Sequence, residues 1–155
     1  MKSVVVYASR SGNTRRVAEE ITRAVSELGE VEMYEVTDAP NRLPDADLLI
    51  VGGPTEGRSE TPPMVEFLQR VDRASVADRA AVAFDTRLAW PRILSGSAAQ
   101  GIAKRLRNAG ARIVVDPESF IVDTKPELKS GELERAGSWA RDITGRLGVS
   151  APVAA

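Results

Sequence analysis

Short apolar runs alternate along this chain with longer segments in which apolar residues recur every three or four positions. Three of the runs are almost continuously apolar, at 4–7, 48–53 and 80–84. Such runs predict strands that are buried on both faces, as in a parallel sheet covered by helices. At 31–36 apolar and acidic residues alternate, which predicts an edge strand with one wetter face. A fifth strand is predicted across 112–115 and 119–122, kinked or bulged where Asp116-Pro117-Glu118 interrupts it.

Four segments carry apolar residues at helical spacing, at 13–28, 61–71, 97–109 and 131–147. Thr61 is expected to be the N-cap of the second helix, with Pro62 at the first helical position, where its missing N–H costs nothing. The alternation predicts one α/β domain over 1–147, with residues 148–155 as a flexible tail. Its architecture is expected to be a three-layer α/β/α sandwich around a five-stranded parallel sheet with strand order 2-1-3-4-5.

The loops at the carboxyl edge of this sheet are where a ligand is expected. In an open parallel sheet, ligands bind beyond the carboxyl ends of the strands, where the strand order reverses. Three loops leave that edge: the first loop at 9–14, the second loop at 54–60 and the third loop at 85–92. The sequence therefore predicts one site that these three loops share.

Composition narrows the chemistry that such a site can perform. The 155 residues include no cysteine and no histidine, which excludes a thiolate nucleophile, a cysteine-ligated metal and an imidazole base. Any chemistry must then come from carboxylates, Lys or Arg, hydroxyls, or a bound cofactor, and we expect neither a catalytic side chain nor a metal site. Lys+Arg 21 against Asp+Glu 22 leaves a net charge of -1, which gives no support for nucleic-acid binding. No apolar run approaches the roughly 18 residues of a membrane span, and the N-terminus does not resemble a signal peptide, so a cytoplasmic location is expected.

The first loop reads Ser9-Arg10-Ser11-Gly12-Asn13-Thr14 and joins a buried strand to a helix. Backbone N–H groups at a helix N-terminus, together with hydroxyl donors, suit a phosphate monoester, and a glycine permits close approach. The alternative is that Asn13 or Thr14 only caps the helix while the serines form a turn. Neither G-x-x-x-x-G-K-[ST] nor G-x-G-x-x-G follows this strand, so the common nucleotide fingerprints do not apply.

Residues 5–14, continuing to Ala18 and Ile21, resemble the FMN-phosphate signature of the flavodoxin family. The wider resemblance, to short flavodoxin-like proteins, covers 2–147 and includes Gly-Gly-Pro-Thr at 52–55. It implies FMN held without covalent attachment, with the flavin between the second and third loops. The phosphate would then be bound by the first loop, through Ser9, Arg10, Ser11, Gly12, Asn13 and Thr14.

By the same resemblance, the second loop would lie along the isoalloxazine ring, through Pro54, Thr55, Glu56 and Gly57. Gly57 could flip its peptide at low cost, to present an N–H or a C=O to flavin N5. The alternative is an ordinary strand-to-helix loop with a glycine turn.

In the third loop, Trp90 is either a stacking surface for the flavin or a buried anchor beside Pro91. Asp85, Thr86 and Arg87 could reach the pyrimidine edge or the ribityl chain. A cation such as Arg87 near N1 would raise the flavin potential, whereas acidic neighbours would lower it.

These features favour an FMN-binding protein that transfers electrons to a redox partner protein or to a small electron acceptor. One alternative is an FMN-dependent NAD(P)H:quinone-type oxidoreductase, although the chain carries no nicotinamide fingerprint. The other alternative is a flavin-free binding or regulatory module on the same fold. The near-neutral charge argues against a strongly acidic docking surface, and the sequence does not predict an oligomeric state.

Overall fold

The computed structural model describes residues 1–89, 96–123, 125 and 127–147. In these ranges the strands are β1 (Lys2–Tyr7), β2 (Glu30–Glu35), β3 (Leu48–Pro54), β4 (Ala80–Leu88), β5 (Arg112–Ile113) and β6 (Glu118–Val122). The α-helices are α1 (Asn13–Ser26), α2 (Pro62–Arg70), α3 (Ala98–Asn108) and α4 (Glu132–Leu147), and a 3₁₀ turn covers Arg73–Ser75. No helix in the described part of the chain is long and apolar enough to cross a membrane.

The strands form one parallel sheet in the order β2-β1-β3-β4-β5, which confirms the predicted topology. The predicted fifth strand is divided into two pieces that both pair with β4. β5 pairs with its start, at Ala80 and Ala81, whereas β6 pairs with its end, from Phe84 to Leu88. Pro117 lies between the two pieces, where it has no N–H to donate to a ladder.

Alternating residues of β1 enter two cores, one on each face of the sheet. Val4 and Val6 pack in the core that α2 and α3 cover, and Val5 in the core that α1 and α4 cover. The second core includes Phe84, Phe120 and Trp139, whose ring centroids are 5.8 to 6.3 Å apart in edge-to-face geometry. Trp139 therefore packs against the sheet. Both faces are covered, which confirms the three-layer sandwich.

Several predicted boundaries need correction. β3 continues to Pro54, which is therefore a strand residue rather than the start of the second loop. β4 continues to Leu88, so Asp85, Thr86 and Arg87 are strand residues rather than part of the third loop. The reason is that β3 and β6 both pair with this polar segment and keep it extended. α1 ends at Ser26 rather than at 28, and Leu28 is left 48% exposed. Trp90 and the tail at 148–155 lie outside the described residues.

Candidate functional site

The carboxyl edge of the sheet carries a cleft of about 300 Å³, here called cleft A. It lies between the first loop, the second loop and the ends of β4 and β6. Eight residues that the sequence predicted line it: Arg10, Ser11, Asn13, Pro54, Thr55, Glu56, Thr86 and Arg87. Ser9 instead lines a neighbouring cleft, and Gly12, Thr14, Gly57 and Asp85 belong to the same loops and strands without lining cleft A.

Sequence reasoning missed three residues of this lining, Leu88, Val122 and Asp123. Val122 ends β6 and Asp123 follows it directly, so they reach the same edge as the other loops. The rule that ligands bind at the carboxyl ends of parallel strands would have found them, had the fifth strand been included.

The first loop turns at Gly12, which adopts φ +94° and is the N-cap of α1. Asn13 and Thr14 are therefore helical residues rather than caps. The loop is held by Ser9 Oγ, which accepts from the Arg15 N–H at 3.3 Å, and by Ser11 Oγ, which accepts from Asn13 Nδ2 at 3.2 Å. No described atom lies within 4 Å of the position that a Gly12 Cβ would take. The loop therefore leaves open space beside the N-terminus of α1.

A buried hydroxyl pair ties α1 to the sheet below cleft A. Thr14 Oγ1 and Thr86 Oγ1 are 2.8 Å apart, and both residues are at least nine-tenths buried. The Thr86 carbonyl also accepts from the Thr55 N–H at 2.9 Å. Thr86 thus contacts the start of α1 through its hydroxyl and the start of the second loop through its carbonyl.

The tip of the second loop is a two-residue hairpin turn. Glu56 and Ser59 exchange both backbone hydrogen bonds, at 2.8 and 3.0 Å. Gly57 and Arg58 between them have φ +53° and +72°, the signature of a type I′ turn. A left-handed conformation is easy for Gly57 but costs roughly 1 kcal/mol or more for Arg58.

An ion pair joins the first and second loops. Arg10 Nη1 donates to Glu56 Oε2 at 2.6 Å, and this bond raises the pKa of Arg10 above its ordinary value. On the far side of the pair lies a second cleft of about 270 Å³, here called cleft B, between the end of β2 and the start of α2. Arg10, Pro54 and Glu56 line both clefts. The ion pair therefore lies in the wall between them.

The second loop is anchored at its other end by Glu60, whose side chain is 5% exposed. Its carboxylate accepts from Arg105 Nε at 3.0 Å and from Ser59 Oγ at 2.9 Å. Burial acts to raise the pKa of Glu60, but the hydrogen bonds from its own N–H, Arg105 and Ser59 outweigh it and hold the pKa below its ordinary value. Gly101 provides the room, since a Cβ there would lie 1.9 Å from Glu60 Oε2.

Asp85 is fully buried and turned toward the N-terminus of α3. Its Oδ2 accepts from Ser97 Oγ at 2.6 Å and from the Ala99 N–H at 3.0 Å. Thr55 Oγ1 accepts from the neighbouring Ala98 N–H at 2.9 Å. These bonds satisfy orphan donors of the helix and complement its dipole. Asp85 thus positions α3, and its predicted contact with a flavin stays a prediction.

Arg87 and Asp123 bring opposite charges to the far wall of cleft A. Arg87 Nη1 donates to the Leu88 carbonyl at 3.2 Å, and Asp123 Oδ1 is buried without a hydrogen-bond partner among the described groups. With Arg10 and Glu56 at the near wall, the charged lining holds two cations and two anions. The charges of the described lining therefore sum to zero.

A model of the flavodoxin family matches residues 5–136. An uncharacterized protein of Methanocaldococcus jannaschii is 30% identical over 132 residues, 81% of this chain; the chain spans only 32% of that curated relative's length. A solved flavodoxin from the domain Archaea superposes with TM-score 0.77 at 24% identity, covering 95% of this chain and 99% of that one. Rubredoxin oxygen:oxidoreductase from Desulfovibrio gigas superposes with TM-score 0.76 at 18% identity, covering 98% of this chain and 37% of that one. At these identities the solved structures establish a shared fold and no more.

Proposed function

Because this chain belongs to the flavodoxin family, we propose that it binds FMN without covalent attachment in cleft A and transfers electrons through it. Flavodoxins are in general flavin-binding electron-transfer proteins. The observation that carries the proposal is the meeting of the first loop, the second loop and β4 at one cleft, beside the N-terminus of α1. A redox partner protein or a small electron acceptor would receive the electrons, and the cytoplasmic location stays a prediction.

The first loop fits a phosphate monoester. The first-turn N–H groups at Gly12, Asn13 and Thr14 lie at the positive end of the α1 dipole. The Ser11 hydroxyl stands at the same end and lines the cleft. Because the space beside Gly12 is open, a phosphate can approach the backbone there without meeting a side chain.

The rest of the cleft fits a planar ring system with polar edges. Pro54, Leu88 and Val122 supply apolar wall, while Thr55, Thr86 and Arg87 supply hydrogen-bonding groups. FMN bound here would supply a ring that accepts and releases electrons one or two at a time. The chain would hold the ring, limit its contact with water and set its potential through nearby charges.

Ion pairing compensates the acidic charges of the second loop. Glu56 is paired with Arg10, and Glu60 with Arg105. Asp85 Oδ2 is bonded to Ser97 Oγ and to the Ala99 N–H at the start of α3. We therefore expect the two glutamates to lower the flavin potential less than their number suggests, while Arg87 and Asp123 bring opposite charges to the far wall of the cleft.

Gly12→Asp tests the proposal. An Asp at this N-cap position would place a carboxylate where the phosphate is expected, so FMN binding should be lost. Gly131→Asp is the matched control, because Gly131 also precedes a helix with positive φ and open space around its Cβ position.

The measurement is an FMN titration followed by flavin absorbance and fluorescence. The wild type and Gly131→Asp should bind about one FMN per chain. Unchanged affinity in Gly12→Asp would show that the phosphate lies elsewhere. A wild type that does not bind FMN would favour the flavin-free module, and rapid NAD(P)H oxidation by the holoprotein alone would favour the oxidoreductase.

A further inference from the structure

The Arg10–Glu56 pair joins two loops that the sheet holds apart. The residues are 46 positions apart in the chain. Their side chains meet above the carboxyl edge of the sheet, where Arg10 Nη1 lies 2.6 Å from Glu56 Oε2. Arg10 is 76% exposed, whereas Glu56 is 33% exposed. Because both side chains line cleft A and cleft B, the pair forms part of the wall that separates the two spaces.

The rest of the second loop is already fixed to other elements. Its start is bonded to β4 through the Thr55 N–H and the Thr86 carbonyl, and its end is anchored to α3 through Glu60 and Arg105. The hairpin turn at 57–58 closes on itself through Glu56 and Ser59. The Arg10–Glu56 bond thus adds a direct side-chain connection from this hairpin to the first loop.

We propose that Arg10 and Glu56 are positioning residues that form a latch, which holds the first and second loops together across cleft A and slows the release of a molecule bound there. The inference rests on the proposed function, since the bound molecule is FMN. A ligand that contacts both loops leaves more slowly while a bond between those loops is closed. The latch acts on the loops and requires no direct contact between either side chain and the cofactor.

The test is the rate of FMN release after dilution, followed by the flavin fluorescence of wild type, Arg10→Gln, Glu56→Gln and the double variant. Because exposed ion pairs contribute little each, each single variant should release FMN about two- to fivefold faster. The double variant should be no faster than the singles, because each single variant already removes the same ion pair. Arg10→Lys should restore part of the slow release, and added salt should accelerate release in wild type more than in the double variant.

Arg141→Gln is the matched control. Arg141 lies on α4 in another exposed pair, with Glu27 at 3.1 Å beyond the far end of α1, so the variant changes the net charge equally without touching the latch. Its release rate should equal that of wild type. If Arg10 instead holds the phosphate directly, Glu56→Gln would free Arg10 and slow release. Slower or unchanged release in Glu56→Gln overturns the latch.

A second measurement separates failure of the latch from failure of the proposed function. If wild type does not bind FMN, the proposed function is wrong, and amide exchange is measured in the flavin-free protein. The latch predicts faster exchange at Glu56 and Ser59 in both single variants, with no further increase in the double variant. If the two substitutions changed these exchange rates additively, or did not change them, the latch would be overturned. This result would not depend on whether the protein binds flavin.

Discussion

Replacing Glu60 by glutamine should destabilise the protein at neutral pH, because it removes the charge from the most buried ion pair of the second loop. The carboxylate is 5% exposed and receives hydrogen bonds from Arg105 and Ser59. Bonds to a charged group contribute about 1.5–3 kcal/mol, and glutamine can keep one of them, so the expected loss is about 1–2 kcal/mol. With a urea m-value of about 2 kcal/mol/M, the midpoint should fall by roughly 0.5–1 M.

The stability difference between wild type and Glu60→Gln should depend on pH. Hydrogen bonding holds the folded-state pKa of Glu60 below its ordinary value of 4.5, so the stabilisation is fully present above that value and is lost as the pH falls through the lowered folded pKa. Flavin-free protein should be used, so that ligand binding adds nothing to stability. Arg105→Gln should show the same loss, whereas Arg107→Gln, on the exposed face of the same helix, should not. Equal midpoints for Glu60→Gln and wild type at pH 7, or a difference that does not shrink as the pH is lowered from 4.5, would refute the reasoning.

Two further substitutions test the packing beneath the site. Gly52→Ala would put a Cβ 2.1 Å from Phe84 Cζ, so urea unfolding should show that the free energy of unfolding falls by about 1–3 kcal/mol. Gly145→Ala is the control, because it lies in open space on a helix and should raise the free energy of unfolding by up to about 1 kcal/mol. Equal stability of the two variants would contradict the close approach of ring and backbone. Thr86→Val should cost about 1–3 kcal/mol, because it leaves the buried hydroxyl of Thr14 unpaired, and adding Thr14→Val should recover part of that loss. Strictly additive losses in this double-mutant cycle would argue against the hydroxyl bond.

Hydrophobic pattern was sufficient to predict the sheet order and the first loop, because buried strands and a glycine turn before a helix leave local signals. The end of β4 left no such signal. Asp85-Thr86-Arg87 is polar and was predicted to be loop, yet pairing with β6, more than 30 residues away, keeps it extended. Strand pairing at that distance is not visible in a local pattern.

The hydrogen-bond and ion-pair partners of the side chains at the site could not be predicted from the sequence either. Asp85 was predicted to reach a flavin, which stays a prediction, while its bonds to Ser97 Oγ and to the Ala99 N–H at the start of α3 were not predicted. The Arg10–Glu56 and Glu60–Arg105 pairs join loops to distant elements. Each depends on how the backbone brings separate segments together, which the residue types alone do not determine.

The division of the fifth strand also bears on how the protein behaves at high concentration. β5 and β6 offer runs of two and five residues instead of one long ladder, and the chain covers β6 itself, since the Lys129 N–H bonds Ile121 and the Asp123 N–H bonds Glu127. At the opposite edge, β2 presents glutamates at 30, 32 and 35. Unpaired strand edges are the template on which β-rich chains aggregate, and charge or coverage blocks that addition. In the described residues, β6 is thus covered and β2 carries charge, two features that disfavour pairing with a second copy.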